Sequence, residues 1–550
     1  MFSAGTEAYI KADHVLYSNA VFSPERSALF AGGIAVKDNY ILQAGTKEEI
    51  ACYIDDNTKI TELGDKLLMP GFHDCHVHFM MGGLHINNVD LSDCKSAEEC
   101  AKKTYDFYLA HPGNYKEGEW VLGFSWYNFF WEDQNFPKKE QLDKYFPDMP
   151  VFLLNADAHA AWTNSKGLEI VGITKDTENP PFGTIHKDEN GEPTGYIDEG
   201  AMVLFTKYAY SFGLETQIKL IADMMGDFAK NGVTSCNDML PFFGVNLGSL
   251  EGLERLEEQG KLTMRVNFAN DLYDDFAFTK ELRKKYKGGK INHFGLKQFA
   301  DGIIVTHTTN LVEPYNDEPE TPPMMVCDLG LLEEAFIKAD SLDIPVHLHA
   351  VGDGSIRCIL DIAAKARALN GTKDIRHSIE HLDLTHPDDF KRLAELGIVA
   401  SMQPPHMALT DTYEECPYPF VVGKDRERYL WAMKSMLNHN VHLALGTDHP
   451  VVTINPFIGI YRAVTRLYND GKPEGGWNPQ EKLTMWETLA SYTLGSAYMA
   501  HRDHELGSLE AGKLADIIAV DRNLFTLEPR AIMDAEVVLT MVDGKIVYQK

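Results

Sequence analysis

Residues 67–79, LLMPGFHDCHVHF, decide how this chain is read. An apolar run leads through Pro70-Gly71 into Asp74, His76 and His78, which are spaced i, i+2 and i+4. On an extended strand such positions face one side. Two imidazoles at i and i+2 can converge on one cation, and neutral nitrogen donors beside oxygen donors suit a Zn²⁺-type site. An isolated His-x-His step is more often a pair of packed or surface histidines, so the rest of the chain has to decide between these readings.

Outward from this stretch the pattern is that of βα units. From about residue 215, short apolar runs at 233–238, 264–271, 293–302, 344–353, 375–381, 398–404 and 442–450 alternate with segments of helical period, such as 215–232, 330–343, 354–371 and 386–397. With 67–79 this makes eight strands. Eight βα repeats predict an α/β fold, a (β/α)8 TIM barrel, whose functional groups sit at the C-terminal ends of the strands. The first strand is assigned to 67–81 and the rest of the barrel to 213–506. The two chain ends differ from the middle. Both alternate apolar and polar residues around turns, Asp38-Asn39 near the start and Asp543-Gly544 near the end. Neither end has enough strands to bury a face alone, so residues 1–66 and 507–550 are expected to pair into one small β-sandwich. Residues 82–212, far longer than an ordinary βα loop and rich in aromatics, are expected to form an inserted subdomain over the barrel mouth.

Composition narrows the function. The 550 residues carry 51 Lys+Arg against 81 Asp+Glu, a net charge of −30. Nucleic acid and anionic membranes are drawn by clustered cations, so no nucleic-acid or membrane partner is expected. The eight cysteines are dispersed without a C-x-x-C pair, which reads as reduced thiols. There is no leader-like N-terminus and no long apolar run, so a soluble cytoplasmic protein is expected. A homodimer is expected on general frequency alone.

Further ligand types end later strands: His349 on the fifth, His381 on the sixth, Asp448 on the eighth. His347 and His377 share strand faces with His349 and His381, so parity alone does not choose between them. The more C-terminal member of each pair is assigned to the site, and the other to packing or support. A cation so held lowers the pKa of a bound water toward about 7 and polarises a carbonyl. Asp448 is then placed to take the proton and pass it to a leaving amine. The expected chemistry is hydrolysis by metal-activated hydroxide, with a small molecule as substrate.

The stretches LMPGFHDCHVH, DAHAAWTNSKGL, GTIHKDENGEPTGYIDE, LKQFADG, HLHAVGDGSI, RHSIEH, SMQPPHM, LALGTDHPV and SLEAGKLADIIAVDRN together span nearly the whole chain. In them the sequence resembles the amidohydrolase superfamily, and within it the YtcJ-like branch of amidohydrolase-3 proteins. The resemblance implies hydrolysis of a non-peptide carbon–nitrogen (amide) bond. It also implies His76, His78, His349 and His381 as metal ligands and Asp448 as ligand and general base. It places Lys297 where relatives carry a lysine, which would ligate only after CO₂ converts it to a carbamate. One Zn²⁺ is expected, or two if that carbamate bridges; other divalent transition metals use the same ligand types. An alternative for Lys297 is a structural pair with Asp301. Two further readings of the centre stay open: a cyclic-amidine deaminase, which in this superfamily generally lacks the carbamylated lysine, and an ester or lactone hydrolase. A barrel kept only as a small-molecule binder would usually have lost a ligand, and none is lost. Candidate substrate contacts are Trp126 in the aromatic cluster GFSWYNFFWED (123–133), Asp157 and His159 in the insert, Asp301 after the fourth strand, and His406 after the seventh. The aromatic cluster is more often the insert's own core than a pocket wall, and Asp157 and His159 read equally as a hydrogen-bonded turn.

Overall fold

The computed structural model describes residues 10–550 apart from 112–118, 157, 240, 243–244, 247–249 and 409. Eight parallel strands form one sheet in chain order: β1 (Phe72–Val77), β2 (Val233–Asp238), β3 (Arg265–Asp271), β4 (Ile291–Phe299), β5 (Val346–Ala350), β6 (Ser378–His381), β7 (Val399–Met402) and β8 (Leu443–Leu445). β1 and the chain after β8 meet through a parallel bridge between Val77 and His449, which brings the sheet round to a nearly closed barrel.

The connecting helices follow their apolar spacing. Leu329–Ser341 buries Leu332, Ala335, Phe336 and Ala339, the i, i+3, i+4, i+7 stripe of a helix lying on a sheet. It starts at Asp328, whose side chain accepts from the Leu331 N–H, a cap that stabilises by about 1 kcal/mol. Asp353–Asn370 buries Ile356, Ile359, Leu360, Ala363 and Ala366 in the same manner, and Gly371 follows its end.

The stretch 67–79 is not one strand. Leu67–Pro70 pairs antiparallel with Ile517–Val520 and parallel with His14–Val21, and after Gly71 the chain turns into β1. The first barrel strand therefore begins at Phe72, not at 67. The chain ends lie in one eight-stranded sheet, in which His14–Val21, Phe30–Lys37, Tyr40–Gly45, Lys59–Glu62 and Leu67–Pro70 join Ile517–Val520, Val537–Val542 and Lys545–Gln549. Leu16, Ile34, Leu68, Ile517, Leu539 and Met541 share one apolar cluster. The turn Asp543-Gly544 has φ of 52° and 70°, as a type I′ hairpin requires. A Cβ at Gly544 would run into the carbonyl oxygen of Asp38. Arg265 on β3 ties this sheet to the barrel through two bonds to Asp516, at 2.7 and 3.0 Å.

Between β1 and β2, strands Val89–Asp90, Val121–Trp126, Val151–Asn155, Ala160–Thr163, Gly183–Lys187 and Pro193–Glu199 make a separate six-stranded sheet. Its own core contains Trp126, Trp131, Leu142, Phe146 and Trp162. No helix among the described residues is long and apolar enough to cross a membrane.

Candidate metal centre and substrate cavity

The closing seam of the barrel builds the centre. The Asp448 N–H donates to His76 O at 2.8 Å, and the His78 N–H donates to His449 O at 2.9 Å. Asp74 tightens the seam, accepting from the Thr447 N–H at 2.9 Å and the Thr447 hydroxyl at 2.6 Å. Asp74 thus fixes the loop carrying Asp448 and is absent from the group of converging ligand atoms. His381, Leu382 and Asp448 have φ of 78°, 48° and 65°. Such non-glycine conformations cost of order 1–3 kcal/mol each and persist only where surrounding bonds over-determine them.

The ligand atoms of His76, His381 and Asp448 lie within 4.8 Å of one another. His76 Nδ1 is 2.7 Å from Glu380 Oε2, and His78 Nδ1 is 3.1 Å from the Met239 carbonyl oxygen. In a neutral imidazole, a nitrogen facing such an acceptor carries the proton, so each Nε2 keeps its lone pair. Those Nε2 atoms stand 3.5 and 3.4 Å from Asp448 Oδ1, so both imidazoles converge on one carboxylate oxygen. Two lone pairs and a carboxylate oxygen in one buried spot repel unless a cation lies among them. His349 follows the same rule: its Nε2 donates to Gly302 O at 3.0 Å, which leaves Nδ1 with the lone pair, and its ring centroid is 4.5 Å from that of His381. Nitrogen donors with one carboxylate fit a borderline divalent metal such as Zn²⁺.

The electrostatics agree with this arrangement. Burial pushes His349 and His381 well below the ordinary histidine value, so both are neutral and able to ligate. Burial alone would raise Asp448, but His76, His406, His78 and His381 hold it well below the carboxylate range. Burial lowers Lys297 to about 8, only partly opposed by Glu380 and Asp448. Among the described residues its Nζ has no hydrogen-bond partner and lies 4.9 Å from the centre of the Phe299 ring, so no pair with Asp301 forms.

Above the centre opens a cavity of about 240 Å³ lined by Tyr127, His159, Phe299, Val351, His406 and Tyr418 among others. His406, in the short helix Pro404–Met407 after β7, brings Nε2 to 3.0 Å from Asp448 Oδ2. His159 pairs with Glu199 at 3.0 Å. Two expected substrate contacts are corrected. Trp126 is fully buried in the core of the insert, donating Nε1–H to Leu153 O at 2.9 Å, after a register shift and a positive φ of 70° at Ser125, while its neighbour Tyr127 reaches the cavity. Asp301 is buried with its oxygens taken by the N–H groups of Val351 (3.1 Å) and Gly352 (3.0 Å) and by the Thr309 hydroxyl. It supports the loop behind His349. Asp157 lies outside the described residues. His347, bonded to Ser378 and stacked on Phe294, and His377, bonded to the Val346 N–H, are held in packing roles.

Sequence reasoning missed Glu380, Asp383 and Thr447. Glu380 and Asp383 flank His381 in IEHLD, and a carboxylate beside a ligand histidine is the one signal that points to them. Asp383 lines the cavity, and burial pushes it up to about 7.

Residues 59–548 match the family model described as "Amidohydrolase family". The chain is 32% identical over 98% of its length to Protein LONG AFTER FAR-RED 3 of Arabidopsis thaliana, covering 92% of that protein. It is 28% identical to the putative amidohydrolase YtcJ of Bacillus subtilis, over 94% of this chain and 96% of that one. It is 26% identical to the N-substituted formamide deformylase of Arthrobacter pascens, over 94% and 95%. An uncharacterized metal-dependent hydrolase from Pyrococcus horikoshii superposes with a TM-score of 0.75 at 24% identity, over 94% of this chain and 99% of that one, a likeness of fold. The chain therefore belongs to the amidohydrolase family and is, by that membership, a hydrolase.

Proposed function

We propose that this protein hydrolyses a non-peptide amide bond of a small molecule at a divalent metal centre held by His76, His78, His349, His381 and Asp448. The observation that carries the reading is the approach of two imidazole lone pairs to Asp448 Oδ1 in a buried spot at the strand ends. Zn²⁺ is the expected metal, as one ion, or as two when Lys297 is carbamylated. Carbamylation is supported by the buried, unpartnered Nζ. Its lowered proton affinity makes the neutral amine available to attack CO₂, forming an N–C bond as a proton leaves. An unpaired buried cation would thereby become an oxygen donor beside neutral imidazoles.

When bound, the metal supplies an acidified water and a Lewis acid for the carbonyl. Asp448, kept ionised and oriented by His406 at Oδ2, accepts the proton of the attacking water and delivers it to the departing amine nitrogen. Glu380 holds His76 in the tautomer that presents Nε2. The apolar walls exclude bulk water and hold the body of the substrate. The likeness to the formamide deformylase along 94% of the chain supports an amide over an amidine or an ester.

The test is metal analysis of protein prepared without chelator, with turnover measured on N-formyl and N-acyl amines, N-acyl amino acids, cyclic amides, amidines and esters. Bound metal with amide turnover that a chelator abolishes and Zn²⁺ restores is the expected result. Metal-free protein, or turnover confined to amidines or esters, overturns the reading. A carbamate carbon signal after exposure to ¹³C-bicarbonate, lost in Lys297→Met, checks the modification.

A further inference from the structure

Asp383 stands two residues beyond His381 and lines the cavity with Tyr418 and His406. It is only 5% exposed, and Tyr418 only 3%. Among the described residues neither the Asp383 carboxylate nor the Tyr418 hydroxyl has a hydrogen-bond partner, and the two lie within electrostatic reach of each other. Both groups are therefore polar tips in a largely apolar enclosure, where an unmet hydrogen bond is expensive.

The charged and titratable groups facing Asp383 do not meet its need. They are His406, Asp301 and Asp448. Asp301 is already engaged by Val351, Gly352 and Thr309. His406 gives its Nε2 contact to Asp448. No lysine or arginine lines the cavity among the described residues. On the Asp383 side of the cavity, away from the metal ligands, an anionic group would meet a carboxylate and no lysine or arginine. A nitrogen bearing hydrogens would meet an acceptor that no described side chain engages.

We propose that Asp383, with the Tyr418 hydroxyl, forms a subsite for a protonated amine carried on the apolar body of the substrate, so that the enzyme selects amides bearing a second, cationic nitrogen. This rests on the amide hydrolysis proposed above. Ile303, Val305 and Val451 contribute apolar wall, and Asp383 supplies the counter-charge that fixes which end of the molecule faces the metal.

The experiment compares N-formyl-4-(aminomethyl)benzylamine with its 4-ethyl and 4-(hydroxymethyl) counterparts on the full-length, Zn²⁺-loaded protein. The ammonium compound should be favoured in kcat/KM over the ethyl compound by at least about tenfold, mainly through KM. In Asp383→Asn, checked for metal content and thermal midpoint, that ratio should fall toward one. Should this variant not fold, Tyr418→Phe should lower the ratio in the same direction. A wild-type ratio near one overturns the proposal without any variant, as does a ratio that persists in Asp383→Asn. Equal preference for the hydroxymethyl compound overturns cation selectivity. If none of the three is turned over, the amide reading has failed separately. Calorimetric binding of the same compounds then tests Asp383 by the same ratios.

Discussion

The end of β1 and the end of the aromatic strand of the insert set conspicuous side chains to opposite ends. In 76–78 two imidazoles reach toward Asp448, at 3.5 and 3.4 Å. In 126–127 the neighbours part, Trp126 entering a core with Trp131 and Trp162 while Tyr127 lines the cavity. A conspicuous residue type is therefore weak evidence of a site until its side of the strand is known. The first region should respond to mutation in chemistry, the second in stability.

The sharpest way to break this contrast is Asp448→Asn, which should cut kcat/KM by about a thousandfold with little change in the denaturation midpoint; an active variant removes Asp448 from its role as base. Next in size, Trp126→Ala should cost about 3–5 kcal/mol in denaturant unfolding, and any folded fraction should keep its order of substrate preference. A change of preference without loss of stability would return Trp126 to the cavity. Glu380→Gln sharpens the first region, since losing the carboxylate that orients His76 should weaken metal affinity roughly 10–100-fold in chelator competition. The smallest expected effect is that of Tyr127→Ala, which should raise KM for aromatic amides by about tenfold while the unfolding midpoint stays near that of the parent.

Much of the architecture was legible because it is written in local periods. The eight βα units follow from apolar alternation and helical stripes, and β2 spans the residues its pattern marked, Val233–Asp238. Choosing His349 and His381 over His347 and His377 followed from the rule that barrel sites lie at C-terminal strand ends, and the neighbours chosen against prove to be bonded into the packing. The split of 67–79 was hidden because Leu67–Pro70 and Phe72–Val77 are buried throughout. An unbroken apolar run carries no mark where it leaves one sheet for another. Asp301 was misjudged because a carboxylate after a barrel strand looks the same in sequence whether it faces a ligand or its own loop's N–H groups.

The sequence by itself determined the barrel and the residue types at its strand ends, since each depends on composition or on neighbours a few residues apart. Only the tertiary structure decided which side chains meet. Asp74 and Thr447 are 373 positions apart, and β1 shifts register against β2 on both sides of Asp74, so strict alternation does not predict where each side chain points. The closing of the barrel brought Asp448 to His76 and His78, set Glu380 behind His76, and left Asp383 facing the cavity without a partner. Such long-range pairings leave no periodic trace in the chain, because they are fixed by the packing of whole elements.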